Sequence, residues 1–499
     1  MAYKHGPYGE QQAVGEPVAV ESQSGMVVFG TAPVHTIEGG AANVNVPVVV
    51  NSIAEARAQF GYSDDWASYT LCEAMHYILE RRGVGPLILI NVFNPAVHKK
   101  AQKASKSLTP SNGQVVITNA ESAVLDTVEV KSGNTVKVKG TDYEIAYNWQ
   151  KKTITIAELT TGALGTSALT ITYDEADPSA VTEANVIGST DDKGLNTGIY
   201  TVKNVYPLTG FIPSFMLAPG FSQIPAIHAA LYANSRKINS HWDAWLFTDI
   251  PISYTSGEET VAVTLDTAYT WKKANGYDKA NETTNFPMFA GTDGNKYHGS
   301  VLRAGNMLEL LTQYDNIPYH SASNTDASII ENLWMGADMT GRIIDDDIIN
   351  RYLNQNGIAS AAFTGGAWHL WGAESAQYDQ TDGNDVNRSE TNLMMLFYIT
   401  NDFQHRHFGD TDDPKTPNDI KQMIGEEQAL LDGLVSAGAL TYGYAYMDAS
   451  AAAKSDMLMG DYKFTFDVTP TPLMRSLTAL ANYVRDGYEV YFNMGEEAA

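Results

Sequence analysis

The hydrophobic pattern changes period several times along the chain. "GMVVFGTA" (25–32), "VNVPVVV" (44–50) and "PLILINVF" (86–93) are short continuous apolar runs and predict buried strands. Between the second and third, "SIAEARAQFG" predicts a short helix. A longer one is expected across "SDDWASYTLCEAMHYILERRG", capped at Ser63/Asp64, stopped at Gly83, with Leu71, Met75, Ile78 and Leu79 on one face. Strand, helix and strand in this order predict an α/β layer. From about 97 to 185 the period drops to two. Val128 and Val130, then Val136 and Val138, alternate around "KSGN" as in a hairpin, and "GQVVIT", "TDYEIAYNW", "KKTITIAE" and "SALTITYDE" repeat the pattern. This predicts an all-β insertion, a small sandwich, interrupting the layer.

The layer resumes near 206 with "FIPSFMLAPG" as strand and turn. Next comes "IPAIHAALYANSRKIN", a helix with Pro225 in its first turn and Ile227, Leu231, Asn234 and Ile238 along one face. "DAWLFTDIP" is the strand that follows. This is a second β-α-β unit, parallel and with a right-handed crossover. Beyond 340, "IIDDDIINRYLNQNG" predicts a helix stopped by Gly357, and "ASAAFTGGAWHLWGA" a pair of strands. Two helices follow, "RSETNLMMLFYITNDFQHRHF" and "TPNDIKQMIGEEQALLDGLVSAG", the second with Thr416, Pro417 and Asp419 as its cap. A strand is expected in "DYKFTFDVTPTP" and a last one in "YEVYF" (488–492). The first 20 or so residues are polar and rich in Gly and Pro, an arm without a core of its own.

Length and charge narrow the function. A chain of 499 residues exceeds one hydrophobic core. The net charge is −26, from 32 basic and 58 acidic residues, with no Lys/Arg-rich run, which argues against a nucleic-acid groove. The same charge opposes self-association unless salt or a partner offsets it. A single cysteine, Cys72, excludes an intrachain disulfide and a cysteine-rich metal site, and reads as a small core residue. No run of about 18 apolar residues predicts a membrane span. The N-terminus lacks the apolar stretch of a secretory signal, so assembly in a cytoplasm is expected.

Candidate chemistry is sparse. In "GGAWHLWG" (365–372), Ala367, His369 and Trp371 alternate with Trp368 and Leu370, which predicts a core strand covered on both faces rather than a catalytic histidine. "DFQHRHFGD" places Asp402, His405, His407 and Asp410 together, but helix residues two apart diverge and do not chelate one ion. In "APGFSQIP", Ile224 stands where a nucleophile elbow needs glycine, so Ser222 is expected to cap the following helix. The three carboxylates of "IIDDDII" are expected on a solvated face. No phosphate-cradling glycine motif occurs. Neither catalytic residue, cofactor nor metal is predicted. The unusual features are the chain ends, an arm and a strand without sequence neighbours, whose backbone groups need a sheet edge that another copy can supply.

With these residues in view, the chain resembles the contractile tail sheath proteins of phages and phage-like injection machines. "GMVVFGTAP" is similar to their first strand, and "FMLAPGFSQIPAIHAAL" with "LFTDIP" to their subtilisin-like α/β domain, a fold name that implies no protease triad. "NQNGIASAAFTGGAWHLWGA" and "DYKFTFDVTPTP" resemble segments of the C-terminal domain, and "GTDYEIAYN" lies in a sandwich like those decorating many sheaths. The resemblance implies an N-terminal linker arm (1–22), α/β core (23–96 and 191–345), inserted β-sandwich (97–190), C-terminal α+β domain (346–483) and C-terminal linker strand (484–499).

It also implies a virion-tail or tail-like-particle protein, assembled in a bacterial cytoplasm. Its expected partners are itself, an inner tube, a baseplate and a terminator. It would contract without nucleotide hydrolysis to drive the tube through a cell envelope, its subunits linked by exchanged terminal strands. Val14, Val18, Val20, Tyr488, Val490 and Phe492 would lie on the linker strands, and Lys421, Lys454 and Arg475 would face the tube. One departure stands out: tube-facing sheath helices are often basic, whereas 418–436 carries Asp419, Glu426, Glu427 and Asp432. The alternatives are a non-contractile structural or adhesive virion protein, and a serine hydrolase using Ser222 with His228 or His241.

Overall fold

The computed structural model describes residues 24–337, 339, 344–379, 385–447, 450 and 456–488. A six-stranded sheet forms its centre, in the order Glu282–Asn285, Trp245–Asp249, Ile212–Leu217, Ser24–Gly30, Leu87–Asn91, Val48–Val50. The first five strands run parallel and the short Val48–Val50 strand is antiparallel. Both faces are covered, which is why these strands read as continuous apolar runs. Met26 and Val28 enter one core together with Leu87, Leu89, Phe215 and Phe247. Val27 and Phe29 enter the opposite core with Ile88, Ile90, Met216 and Leu246. The result is a mixed α/β fold with several sheets.

Residues 104–173 form sheets separate from the layer. A four-stranded antiparallel sheet (Ala104–Leu108, Leu169–Tyr173, Glu129–Ser132, Thr135–Lys137) and a three-stranded one (Gln114–Thr118, Thr153–Glu158, Tyr143–Asn148) share one core. Val130, Ile154, Ile156 and Ile171 are fully buried there. The alternation around "KSGN" does make a hairpin, but Val136 on its outer strand and Val138 just beyond it are exposed, so apolar alternation overstates burial at this edge.

Three further expectations are corrected. The helix anticipated from Ser63 starts at Leu71 and widens into π-type turns over Met75–Arg82 before Gly83 ends it in a left-handed conformation. Ser63 and Asp65 instead bind backbone N–H groups within a turn. Thr70 and Thr31 donate their backbone N–H groups to each other's hydroxyls at 3.1 and 3.3 Å, tying this turn to the end of the first strand. Of "VNVPVVV" only Val48–Val50 is strand. "GGAWHLWG" is the second strand of a two-stranded hairpin, Ser360–Thr364 with Ala367–Trp371, turned by Gly365 and Gly366 at φ 64° and 86°. It is not buried on both faces. Only Leu370 is fully covered, and the Trp371 indole N–H donates to Asn350 at 3.0 Å near the surface. Its free edge is closed by the 324–327 loop, where Ala327 N–H donates to Trp368 C=O at 3.0 Å and Leu370 N–H to Thr325 C=O at 3.1 Å.

The helix expected to carry Ile227, Leu231, Asn234 and Ile238 on one face spans only Pro225–Ala233, so Asn234 caps it and Ile238 lies beyond it, bridged to Trp242. Asp345 caps Asp346–Tyr352 by accepting from Ile348 N–H, so one of the three clustered carboxylates has a structural task while Asp347 pairs with Arg351. Lys272, buried on Leu265–Asn275, donates to the carbonyls of Asn356 and Gly357 at 2.6 and 3.1 Å, satisfying acceptors in the turn that follows Asp346–Tyr352. No helix among the described residues is long and apolar enough to cross a membrane.

Candidate functional site: an open-edged sheet on two helices

The groups with catalytic potential are occupied by structure. Ser222 does not cap the helix Pro225–Ala233, whose N-cap is Ile224 without a side-chain bond. It is fully buried, and its Oγ faces Asp249, accepting from the Asp249 N–H at 3.2 Å. Asp249 in turn accepts from the Ser300 hydroxyl at 2.5 Å, and burial raises its carboxyl above the ordinary carboxylate range. His228 bonds Glu282 at 2.8 Å and stacks on Tyr277, while His241 packs against Trp242 and Phe408. Among the described residues no histidine bonds Ser222, so the serine-hydrolase alternative loses its nucleophile and base. Cys72 is buried, and burial pushes its thiol up to about 12. Among the described residues no group of three or more His, Cys, Asp or Glu side chains could hold a metal.

The "DFQHRHFGD" cluster has a different job. Asp402 lies on the helix Glu390–Arg406 and accepts from Arg406 Nε at 2.7 Å. The same guanidinium grips Glu427, on the helix Pro417–Ser436, with two bonds of 2.7 and 2.8 Å. His407 links Glu427 at 2.6 Å to Asp410 at 2.7 Å. Glu427 has no exposed surface. Burial alone would raise its carboxyl, but the bonds from His407 and Arg406 hold it below the ordinary value. His407 moves the other way, raised chiefly by its bond to Glu427. Two helices are thus clamped through a bidentate pair whose carboxylate is fully buried and whose guanidinium is partly exposed.

On this clamp rests a two-stranded antiparallel sheet, Leu440–Met447 with Phe464–Pro470. Side chains alternate across it. Ala445 is buried toward the helices, and Phe464 and Phe466 pack on Phe403 at 5.3 and 5.4 Å. Gly443 lies so close that a Cβ there would meet the Leu431 Cβ at 2.9 Å. The opposite face carries Tyr442 and Tyr444, which are half exposed.

Ala445 N–H and Gly443 C=O are bonded to a helix side chain, Gln428. Ala445↔Phe466 and Gly443↔Val468 are therefore the pairs that do not exchange ladder bonds. It follows that the backbone groups of Phe464, Phe466 and Val468 point outward on the far edge. They have no partner there among the described residues. After Pro470 the chain leaves the sheet. Residues 471–484 form neither helix nor ladder, and Met474, Leu477, Leu480 and Tyr483 are 79%, 84%, 88% and 76% exposed. Exposed apolar segments beside strand edges without a partner favour association with other chains.

Val14, Val18, Val20, Val490, Phe492 and Lys454 lie outside the described residues. Tyr488 closes the short turn Arg485–Tyr488. Lys421 is exposed on Pro417–Ser436. Arg475 donates to the Tyr378 hydroxyl at 2.8 Å and approaches Glu374 at 3.8 Å. The acidic residues of 418–436 each have a local partner: Asp419 completes the capping box with Thr416, Glu426 accepts from Gln422, Asp432 from Gln428, and Glu427 is clamped. Sequence reading missed Gln428 and the Arg406–Glu427 pair, because neither partner lies near the other in the chain.

No family model matches the chain. It is 31% identical over 255 residues to the tail sheath protein of Burkholderia phage BcepMu, a match covering 51% of this chain and 50% of that protein. Against this relative it therefore spans about half the length. It is 21% identical over 308 residues to the major tail sheath protein of Serratia phage KSP20, covering 62% of this chain and 72% of that one. In fold it is similar to a chain of the sheath complex of an extracellular contractile injection system (PVC) in its contracted state, with TM-score 0.54 and 10% identity over 98% of this chain and 100% of that chain.

Proposed function

We propose that this chain, a relative of the phage tail sheath proteins in sequence and like an injection-system sheath in fold, is the structural subunit of a contractile tail. Its role is architectural, not enzymatic. Copies polymerise around an inner tube on a baseplate, closed by a terminator protein, in a phage tail or tail-like particle assembled in the host cytoplasm. Contraction of the sheath drives the tube through a target envelope. Residues 23–96 and 191–345 are its α/β core, subtilisin-like in layering and without a catalytic triad. Residues 97–190 are a decorating β-sandwich, 346–483 the C-terminal domain, and 1–22 and 484–499 the linker arms.

The observation that carries this reading is the small sheet with an unpaired edge beside an exposed apolar segment. A strand from another copy satisfies the outward backbone groups of Phe464, Phe466 and Val468. Each added bond contributes about 0.5–1.5 kcal/mol net, and the half-exposed tyrosines supply apolar area for a second layer. Val14, Val18 and Val20 from one end, or Tyr488, Val490 and Phe492 from the other, have the alternation such an added strand needs. Tyr488 lies in a turn of the single chain, so strand geometry at that end is adopted on docking. Lys421 and Lys454 are offered as tube-facing cations. Arg475 is held by Tyr378 and Glu374 and would have to exchange partners.

The test is negative-stain microscopy of the overexpressed chain, with and without residues 1–18. The full chain is expected to form striated cylinders, and the truncated one a folded monomer that builds none. Normal cylinders from the truncated chain would contradict the linker assignment, and a full chain that stays monomeric at every concentration would contradict the sheath reading.

A further inference from the structure

The two edges of the Leu440–Met447/Phe464–Pro470 sheet are not equivalent. Among the described residues the Phe464–Pro470 edge has no partner strand. On the Leu440–Met447 edge, Gln428 Oε1 accepts from Ala445 N–H at 2.9 Å and Gln428 Nε2 donates to Gly443 C=O at 3.1 Å. A carboxamide offers one acceptor and one donor in a plane, as a peptide group does. Here it meets residues i and i+2 of the strand, the positions a neighbouring strand would address. The second Nε2 hydrogen is directed to Asp432 at 2.8 Å, one helical turn on, which orients the side chain. Gly443 makes the approach close enough, since any Cβ there would push Leu431 and the helix away.

We propose that Gln428 is an edge guard that imposes an order on strand docking. This rests on the sheath reading and adds to it. A strand from a second copy adds first at the open Phe464–Pro470 edge. The Leu440–Met447 edge accepts another strand only after Gln428 swings out and yields Ala445 N–H and Gly443 C=O. Asp432 is exposed, so the orienting bond is weak and the displacement reversible. The free chain thus has one sticky edge rather than two, which limits premature chain-to-chain pairing.

The experiment compares the full chain with Gln428→Met, which keeps length but loses both bonds, and Gln428→Glu, which puts a carboxylate against Gly443 C=O and Asp432. Gln422→Met is the control, an exposed glutamine of the same helix that bonds Glu426 and not the sheet. Two quantities are read: amide hydrogen exchange of the 440–447 segment, and the concentration at which light scattering detects self-association. Gln428→Met is expected to exchange faster at Ala445, whereas Gln428→Glu keeps an acceptor for that N–H and loses the bond to Gly443 C=O; both variants weaken the guard. They should also associate at a concentration about tenfold lower, the shift expected when roughly 1.4 kcal/mol of competing hydrogen bonding is removed. Gln422→Met should match the unaltered chain. An association threshold unchanged or raised in both Gln428 variants overturns the proposal, whatever the exchange rates. An unchanged threshold together with cylinders from every chain in microscopy would leave the sheath reading standing and remove the guard. Variants that associate readily while no chain forms cylinders would do the reverse.

Discussion

Glu427 illustrates how a charge in an acidic surface helix becomes a structural rivet. Its two oxygens are taken by Arg406 and His407, and it has no exposed surface. Replacing it with Ala leaves a half-buried guanidinium without its main partner. The expected cost is about 3–5 kcal/mol, read as a lower midpoint in thermal or urea unfolding. The same pair makes stability depend on pH. The Glu427 carboxyl is held below its ordinary value of 4.5, so its contribution is full above that pH and is lost as pH falls through its folded value. His407 is raised above its ordinary 6.5, so its contribution is full below that pH and is lost as pH rises through its folded value. The clamp is therefore strongest between about pH 4.5 and 6.5. The difference in stability between the natural chain and His407→Gln should be largest in this window and shrink on the alkaline side. A difference that grows toward pH 9 would contradict the assignment.

At the scale of elements, the helix Pro417–Ser436 and the sheet beneath it are joined through one close approach. Leu431 and Leu434 are buried against Ala445 and Leu440, and Gly443 leaves no space for a side chain. Gly443→Val should separate helix from strand, at a cost of about 1–3 kcal/mol from overpacking. Because the shift also withdraws Gln428, amide exchange across residues 440–447 should rise well above the exchange in the six-stranded sheet. Exchange that rises uniformly through the chain would indicate general unfolding instead. The capping box Thr416–Asp419 fixes where this helix begins, and hence the height of Gln428 along the strand.

For the whole molecule, the relevant contrast is between a well-covered α/β body and a segment that its own body leaves in water. The central sheet has a core on each face, whereas Leu477 and Leu480 are more than four-fifths exposed. Apolar side chains of that size contribute about 1.5–3 kcal/mol each only where they are covered. Leu477→Asp combined with Leu480→Asp should therefore leave the unfolding midpoint of the isolated chain unchanged while suppressing cylinder formation in microscopy. Loss of stability in the isolated chain would mean that these residues already pack on their own body. Salt should promote assembly, since a net charge of −26 repels between copies until it is screened.

Local chemistry determined a good deal by itself. Continuous apolar runs identified the parallel strands, because a strand covered on both faces has no polar side. The period-two stretch identified the inserted sheets, and Thr416, Pro417 and Asp419 identified a helix start whose bonds all lie within four residues. The paired glycines after Thr364 marked a hairpin, since two successive left-handed residues favour glycine. What tertiary structure alone decided involves partners far apart in the chain. Thr31 and Thr70 exchange hydroxyl bonds across 39 residues and delay the helix expected from Ser63. Asp249 takes Ser222 away from the cap position that its neighbours suggested. Arg406 buries Glu427, which the sequence showed only as one of four acidic residues on its helix, and Gln428 reaches 17 residues along the chain to occupy a strand edge. Propensity and periodicity act over a turn or a strand. Which edge is closed, which charge is buried and which apolar segment stays in water depend on distances that only the folded chain sets.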